Sequence, residues 1–301
     1  MIDTPNTAPR LFERSLVRQH RERAASRFAT FDFLFQEVAE RLNERLDDIR
    51  RSFATVLDLG SHQGNLGRLL QNRPGVETLV SCDLAPALVA HAPGLRLAAD
   101  EEWLPFAEAR FDLLVSNLSL HWVNDLPGAL IQARRTLKAD GFFLAALLGG
   151  NTLTELRQCL MEAEVAVCGG AAPRVSPFAD LQDAGRLLQR AGFALPVADA
   201  DTLTVTFRDL FHLMQELRAM GESTALVQRS RRPLPRTVFL EAARLYQRHF
   251  AEPDGRLPAT FEILYLTGWA PHPDQPKPLA PGSATMTLAQ GLESRRRNGA
   301  A

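Results

Sequence analysis

From Arg10 onward apolar residues recur at helical spacing, with Phe28, Phe31, Leu34, Phe35, Val38 and Leu42 mostly three or four positions apart, after a frayed end at residues 1–9. One or two amphipathic helices therefore precede the first strand. That strand is Thr55–Leu59, short and apolar, and it runs into a glycine-bearing turn and the helical triplet Leu66, Leu69 and Leu70. The alternation then repeats. Thr78–Cys82 is a second strand ending on Asp83, Pro86–Ala90 a short helix, and Leu95–Ala99 a third strand ending on Asp100. Phe111–Ser116 is a fourth strand, Leu126–Leu137 a helix and Gly141–Leu148 a fifth strand. Continuous apolar strands separated by helices predict a parallel sheet covered on both faces.

Beyond Gly149-Gly150 the pattern turns mainly helical, with a stripe of Leu153, Leu156, Leu160 and Ala163. Ser176-Pro177 reads as the start of a helix that Gly192 stops. Leu203, Val205 and Phe207 alternate with threonines as a half-buried strand, Leu210–Met220 and Thr237–Phe250 are helices, and Phe261–Trp269 is a last strand. The run from Pro271 to Pro281 reads as extended, ahead of a polar tail.

Composition narrows the classes. With 46% apolar and 23% charged residues over 301 positions, the chain is neither disordered nor fibrous. Its net charge of −1 gives no global electrostatic case for nucleic acid. Lys138 and Lys277 are the only lysines, so arginine carries nearly all of the positive charge, as a GC-rich genome would also produce. Cys82, Cys159 and Cys168 are too irregularly spaced for a disulfide framework or a zinc site. No apolar run reaches the roughly 18 residues of a membrane span, and no signal-peptide core opens the chain.

The chemistry concentrates at the strand ends. Val56-Leu57-Asp58-Leu59-Gly60-Ser61-His62-Gln63-Gly64 places an acid two residues before a glycine at the end of the first strand. Glycines there let backbone pass close to a ligand, and the following helix presents N–H groups. The spacing Gly60, Gly64, Gly67 is not the dinucleotide fingerprint. An acid inside the strand end suits a cationic amino-acid group, which points to S-adenosylmethionine. Asp83 is placed to take the ribose hydroxyls and Asp100 the adenine amino group. His62 departs from the glycine usual at that position and would narrow the methionine end. Asn117 ends the fourth strand beside the reacting end, with His121 as a candidate general base and Trp122 as a stacking surface, or alternatively a turn cap and a core ring.

Asn117-Leu118-Ser119-Leu120-His121-Trp122-Val123-Asn124-Asp125-Leu126-Pro127 resembles the complex I assembly factor 5 group of class I methyltransferase-fold proteins, close to the malonyl-carrier-protein methyltransferases. Asp100-Glu101-Glu102-Trp103-Leu104-Pro105-Phe106, Gly149-Gly150-Asn151-Thr152-Leu153-Thr154-Glu155-Leu156-Arg157, Met220-Gly221-Glu222-Ser223 and Gly282-Ser283-Ala284-Thr285 carry the same resemblance, from about Leu11 to about Leu288. It implies a Rossmann-like α/β fold with a seven-stranded, mainly parallel sheet, N-terminal helices and a helical cover. It implies S-adenosylmethionine as cofactor and, in mitochondrial members, hydroxylation of an arginine on a complex I subunit. By position it puts Asp58, Gly60, Ser61 and Gly64 at the methionine end, Asp83 and Leu84 at the ribose, Asp100 and Glu101 at the adenine edge, and Trp122 and Asn151 at the substrate. No metal site is expected: His20-Arg21-Glu22 and His272-Pro273-Asp274 are the only suggestive histidine spacings.

The expected organisation is an N-terminal helical arm over 1–52, a cofactor-binding core over 53–150, a helical cover with the last strands over 151–270, and a proline-rich tail over 271–301. Two arginine clusters, Arg14, Arg18 and Arg21 on one helical side and Arg229, Arg231, Arg232 and Arg236, are solvated faces or docking sites for an acidic protein or lipid surface. Three functions stay open: a cofactor-binding enzyme modifying a protein arginine of a complex I subunit, a methyltransferase of a small or carrier-bound carboxylic acid, and a non-catalytic assembly chaperone. A bacterial cytoplasm is the expected compartment, the mitochondrial matrix the alternative.

Overall fold

Strands β1 (Thr55–Leu59), β2 (Thr78–Asp83), β3 (Leu95–Ala98), β4 (Phe111–Asn117), β5 (Leu137–Leu148), β6 (Ala194–Phe207) and β7 (Leu257–Trp269) form one seven-stranded sheet in the order β3-β2-β1-β4-β5-β7-β6. The computed structural model describes residues 10–230, 232–276 and 290. β1 to β5 run parallel, and β7 enters antiparallel between β5 and β6. The order reverses between β1 and β4, and doubly wound sheets bind ligands at the carboxyl ends of strands beside such a reversal. Asp58 pairs in register with Ser81 on one side and Val115 on the other, which sets the ends of β1, β2 and β4 on a common edge.

Both faces of the sheet are covered over its central strands, as their apolar sequences require, while the edge strand β3 is exposed. Val56, Leu113, Val115, Leu144 and Ile263 point to one core, which helices α3 (Phe33–Arg45), α4 (Asn65–Gln71), α7 (Thr154–Cys168), α9 (Leu210–Ala219) and α10 (Arg236–Phe250) cover. Their neighbours Leu57, Leu114, Phe143 and Leu264 point to the other, under α6 (Leu126–Thr136) and α8 (Leu181–Arg190). A third cluster joins Phe12 and Val17, the latter on helix α1 (Arg14–Ala24), to Trp122 and Leu226. The arm is completed by α2 (Phe28–Phe31), and α5 (Pro86–Val89) follows β2.

Three expectations are corrected. Helix α8 does not begin at Ser176-Pro177. Its N-cap is Asp180, whose carboxylate accepts from the Asp183 N–H at 2.7 Å. The segment before it is held extended by the Ala179 bridge to Gly149. Strand β6 begins nine residues before Leu203, at Ala194. Its outer position leaves half of it solvated and hides the alternation, and Pro196 sits at a register shift. The tail is not extended where it is described: in His272–Gln275 the Asp274 N–H donates to His272 Nδ1 at 3.2 Å and closes a turn. Residues 277–281 and the Gly282–Thr285 motif lie outside the described residues. Contacts divide the chain into Met1–Pro271 and His272–Ala301, so arm, core and cover share one unit. Among the described residues no helix is long and apolar enough to cross a membrane.

Candidate functional site

The turn after β1 needs its glycines. Gly60 has φ +69°, and a Cβ there would lie 2.1 Å from Ser119; Gly64 has φ +83° and caps α4, with Pro93 2.3 Å from where a Cβ would be. Asp58 stands beneath this turn, fully buried, and its carboxylate oxygens accept no well-formed hydrogen bond. Burial, reinforced by the Asp83 charge and only partly offset by the Gly67 backbone, pushes it up to about 7. The Ser61 hydroxyl is likewise buried and unpaired.

His62 also lies in the left-handed region, at φ +50°. Its ring stacks on Phe28 at 5.6 Å and meets Phe35 at 4.5 Å, while Nε2 lies 3.3 Å from the Leu118 carbonyl. Burial and then the Arg21 charge lower its pKa to about 3, so the ring is neutral. The histidine is thus part of the packing between arm and turn. Truncating a buried ring costs about 2 to 4 kcal/mol, but left-handed backbone costs a non-glycine residue roughly 1–2 kcal/mol. His62→Gly is therefore expected to destabilise less than His62→Ala in urea denaturation, the reverse of the usual order.

Asp83 is fully buried at the end of β2, accepting from the backbone N–H groups of His62 at 3.0 Å and Ala85 at 2.7 Å. The Arg21 guanidinium reaches it from α1 at 3.3 Å and reaches Glu101 at 2.8 Å and Ser119 Oγ at 2.8 Å. Arg14, two turns earlier, binds Asp100 at 2.5 Å and also Glu101. Burial alone would lower Arg21, but Asp83 and Glu101 outweigh it and keep it charged. Burial would likewise raise Glu101, and Arg21, Arg14 and Ser119 together hold it well below the usual carboxylate range. Arg14 and Arg21 therefore correct the surface expectation: they are internal counter-ions. Only Arg18 of that set is exposed, facing Glu22. Arg229 pairs with Glu13, and Arg231 lies outside the described residues. Leu84 packs on the Phe12–Trp122 cluster.

Asn117 donates to the Phe35 carbonyl at 2.9 Å. After β4 a short 3-10 turn, Leu120–Trp122, carries His121 and Trp122 onto one carboxylate: Glu222 Oε2 is 3.2 Å from His121 Nε2 and 3.0 Å from Trp122 Nε1. His121 Nδ1 is buried without a partner. Burial would raise Glu222, yet His121 beside it, by charge and hydrogen bond, keeps it below its ordinary range. Glu222 and Trp122 line a cavity of about 70 Å³ with Leu34, Leu148, Phe178 and Phe261. Asn151 is exposed beside that edge, its amide taken up by Glu262 at 2.9 Å. Glu222, Arg21, Arg14 and Ser119 are contributions that sequence reasoning did not assign. The recoverable signal was spacing: Arg14 and Arg21 share a stripe with Val17 and Ala24, both buried.

Asp58, Asp83, Asp100, Glu101 and Glu222 outnumber the arginines that face them, and Asp58 has no donor of its own. The buried Asp58 carboxylate left without a partner fits a cofactor that brings a cationic group, as an ammonium is. Among the described residues no three His, Cys, Asp or Glu side chains are grouped as for a metal ion.

Comparison with known proteins gives the same fold. The methyltransferase domain family matches residues 57–145. YcgJ of Bacillus subtilis, a solved structure, superposes with a TM-score of 0.55 at 14% identity over 77% of this chain and 99% of its own. The fold is thus that of the class I, S-adenosylmethionine-dependent methyltransferases. The mitochondrial arginine-hydroxylase NDUFAF5 of Homo sapiens is 41% identical over 295 residues, 95% of this chain and 85% of its own length. The malonyl-[acyl-carrier protein] O-methyltransferase of Laribacter hongkongensis is 35% identical over 276 residues, 86% of this chain and 90% of its own. At this identity and coverage, the chain belongs to the NDUFAF5 arginine-hydroxylase family of methyltransferase-domain proteins.

Proposed function

We propose that the chain binds S-adenosylmethionine and hydroxylates an arginine side chain on a subunit of respiratory complex I during its assembly, with an external oxidant such as dioxygen supplying the oxygen atom and accepting the two electrons. The observation that carries the choice of substrate is Glu222, a buried carboxylate in a mostly apolar cavity beside the carboxyl ends of β4 and β5. Such a cavity suits a side chain with an apolar stem and a cationic head. A malonyl carboxylate would instead meet like charge. The malonyl-carrier reading has Arg174 in its favour, which lines the same cavity, but Glu164 already binds that guanidinium at 2.9 Å.

In this reading Asp58 receives the ammonium end of the cofactor at the Gly60–Gly64 turn with Ser61, Asp83 and Leu84 serve the ribose, and Asp100 with Glu101 the adenine. The bound cofactor supplies a sulfonium centre at the edge where Asn117 ends β4. Trp122 walls the substrate cavity beside Glu222, and Asn151, three residues past the Leu148 that lines it, serves the substrate. Glu222 orients the guanidinium, and the unpaired His121 Nδ1 is a site where a proton can be taken up. The working compartment is the bacterial cytoplasm, with the mitochondrial matrix as the other setting.

Cofactor binding has a distinctive pH dependence. Asp58 titrates near 7 in the folded chain, so below that pH it is neutral and holds the ammonium poorly. An α-amino group itself loses its proton at roughly 7.7–8.0. Affinity measured by calorimetry should therefore peak between these values and fall on either side, and Asp58→Asn should weaken it and remove the acid limb. A pH-independent affinity would count against Asp58. The substrate half is tested by the mass of the modified subunit, which should carry one oxygen on a single arginine only when the chain is present.

A further inference from the structure

The side chains of His20, Arg23 and Arg27 have no part in the site above: they project from α1 and the turn after it on a face next to the stripe of Arg14 and Arg21, with Ala24 between the two. Spaced by three and four, these side chains share one helical face running past the end of α1. Across from them stand Gln215, Arg218 and Ser223, and the two sets enclose a cavity of about 430 Å³. Some of the other arginines are tied to carboxylates. Arg41 binds Glu37 and Asp201, Arg45 binds Asp199, Arg73 binds Asp47 and Arg244 binds Glu241. Arg23, Arg27 and Arg218 bind no carboxylate among the described residues, and Arg27 only lies over the Phe31 ring at 4.7 Å. His20 is a wall of the cavity, with Nδ1 3.1 Å from the Ser223 carbonyl.

We propose that this cavity is a binding site for the phosphate of a small phosphorylated molecule, separate from the cofactor and substrate sites. Three arginines lining one concavity match a compact dianion with several oxygens, whereas a single carboxylate saturates one guanidinium fork. The volume exceeds what a bare phosphate fills and falls within the roughly 300–1,000 Å³ of small-molecule sites, so the phosphate is an ester or a diphosphate with an organic group attached. Concavity also distinguishes a small ligand from a membrane, whose flat surface would touch only the rim.

Calorimetric titration of the full-length chain with inorganic pyrophosphate at low ionic strength tests this, with Arg23→Glu, Arg218→Glu and the exposed Arg190→Glu as variants. The expected result is saturable binding that each cavity variant weakens by about tenfold or more, while Arg190→Glu binds as the parent does. Vesicles of phosphatidic acid should bind no better than neutral vesicles. Absence of saturable binding, equal weakening by all three variants, or binding to anionic vesicles but not to pyrophosphate would each overturn the proposal. All three positions are solvent-facing, so folding of the variants is not at issue.

Discussion

Glu222→Gln is expected to lower kcat/KM for an arginine substrate by about 100-fold, mainly through KM, and to leave S-adenosylmethionine affinity within about threefold. The carboxylate is the acidic group that a guanidinium entering the cavity of Leu34, Leu148 and Phe178 would meet, and loss of one well-placed polar partner in a buried site has an effect of that order. Glutamine still accepts from Trp122 Nε1 and faces His121 Nε2, so the local packing is kept. The split between KM and kcat separates a binding role from a structural one. A purely structural Glu222 would move the melting temperature and cofactor affinity together; unchanged kinetics would remove it from the site.

The second large effect concerns Arg21. Replacing it with leucine leaves Asp83 and Glu101, both fully buried, with a shared counter-ion missing. Removing one partner of a buried ion pair costs about 3 to 5 kcal/mol, so Arg21→Leu should be less stable in urea by that amount. An equally stable variant would show that the Arg21 contacts contribute little.

Strands β1, β2 and β4 were legible because they are mostly buried on both faces and so read as apolar runs, each carrying at or next to its end an acid or amide of the candidate site: Asp58, Asp83, Asn117. Strand β6 was only partly legible, since an outer strand with Pro196 and a run of aspartates and alanines loses the period-two signal. The start of α8 was misread because Ser176-Pro177 has the local chemistry of a cap, whereas the bridge from Ala179 to Gly149 is a long-range constraint. Within the site, spacing pointed to the acids but not to their counter-ions. Arg21 looks like any charged helical residue until folding sets it 2.8 Å from Glu101, 80 positions away. Glu222 lay in a recognised motif, Met220–Ser223, yet its role depends on His121 and Trp122, about 100 positions earlier.

Arginine hydroxylation with this chain as the agent is most directly tested by mass spectrometry of the complex I subunits from cells with and without it, with the Glu222→Gln form restored to the deleted strain as a third sample. One subunit should lose a single oxygen from one arginine on deletion, and the Glu222→Gln form should restore it poorly. Identical subunit masses in all three samples, or the loss of a methyl group in place of an oxygen, would contradict it.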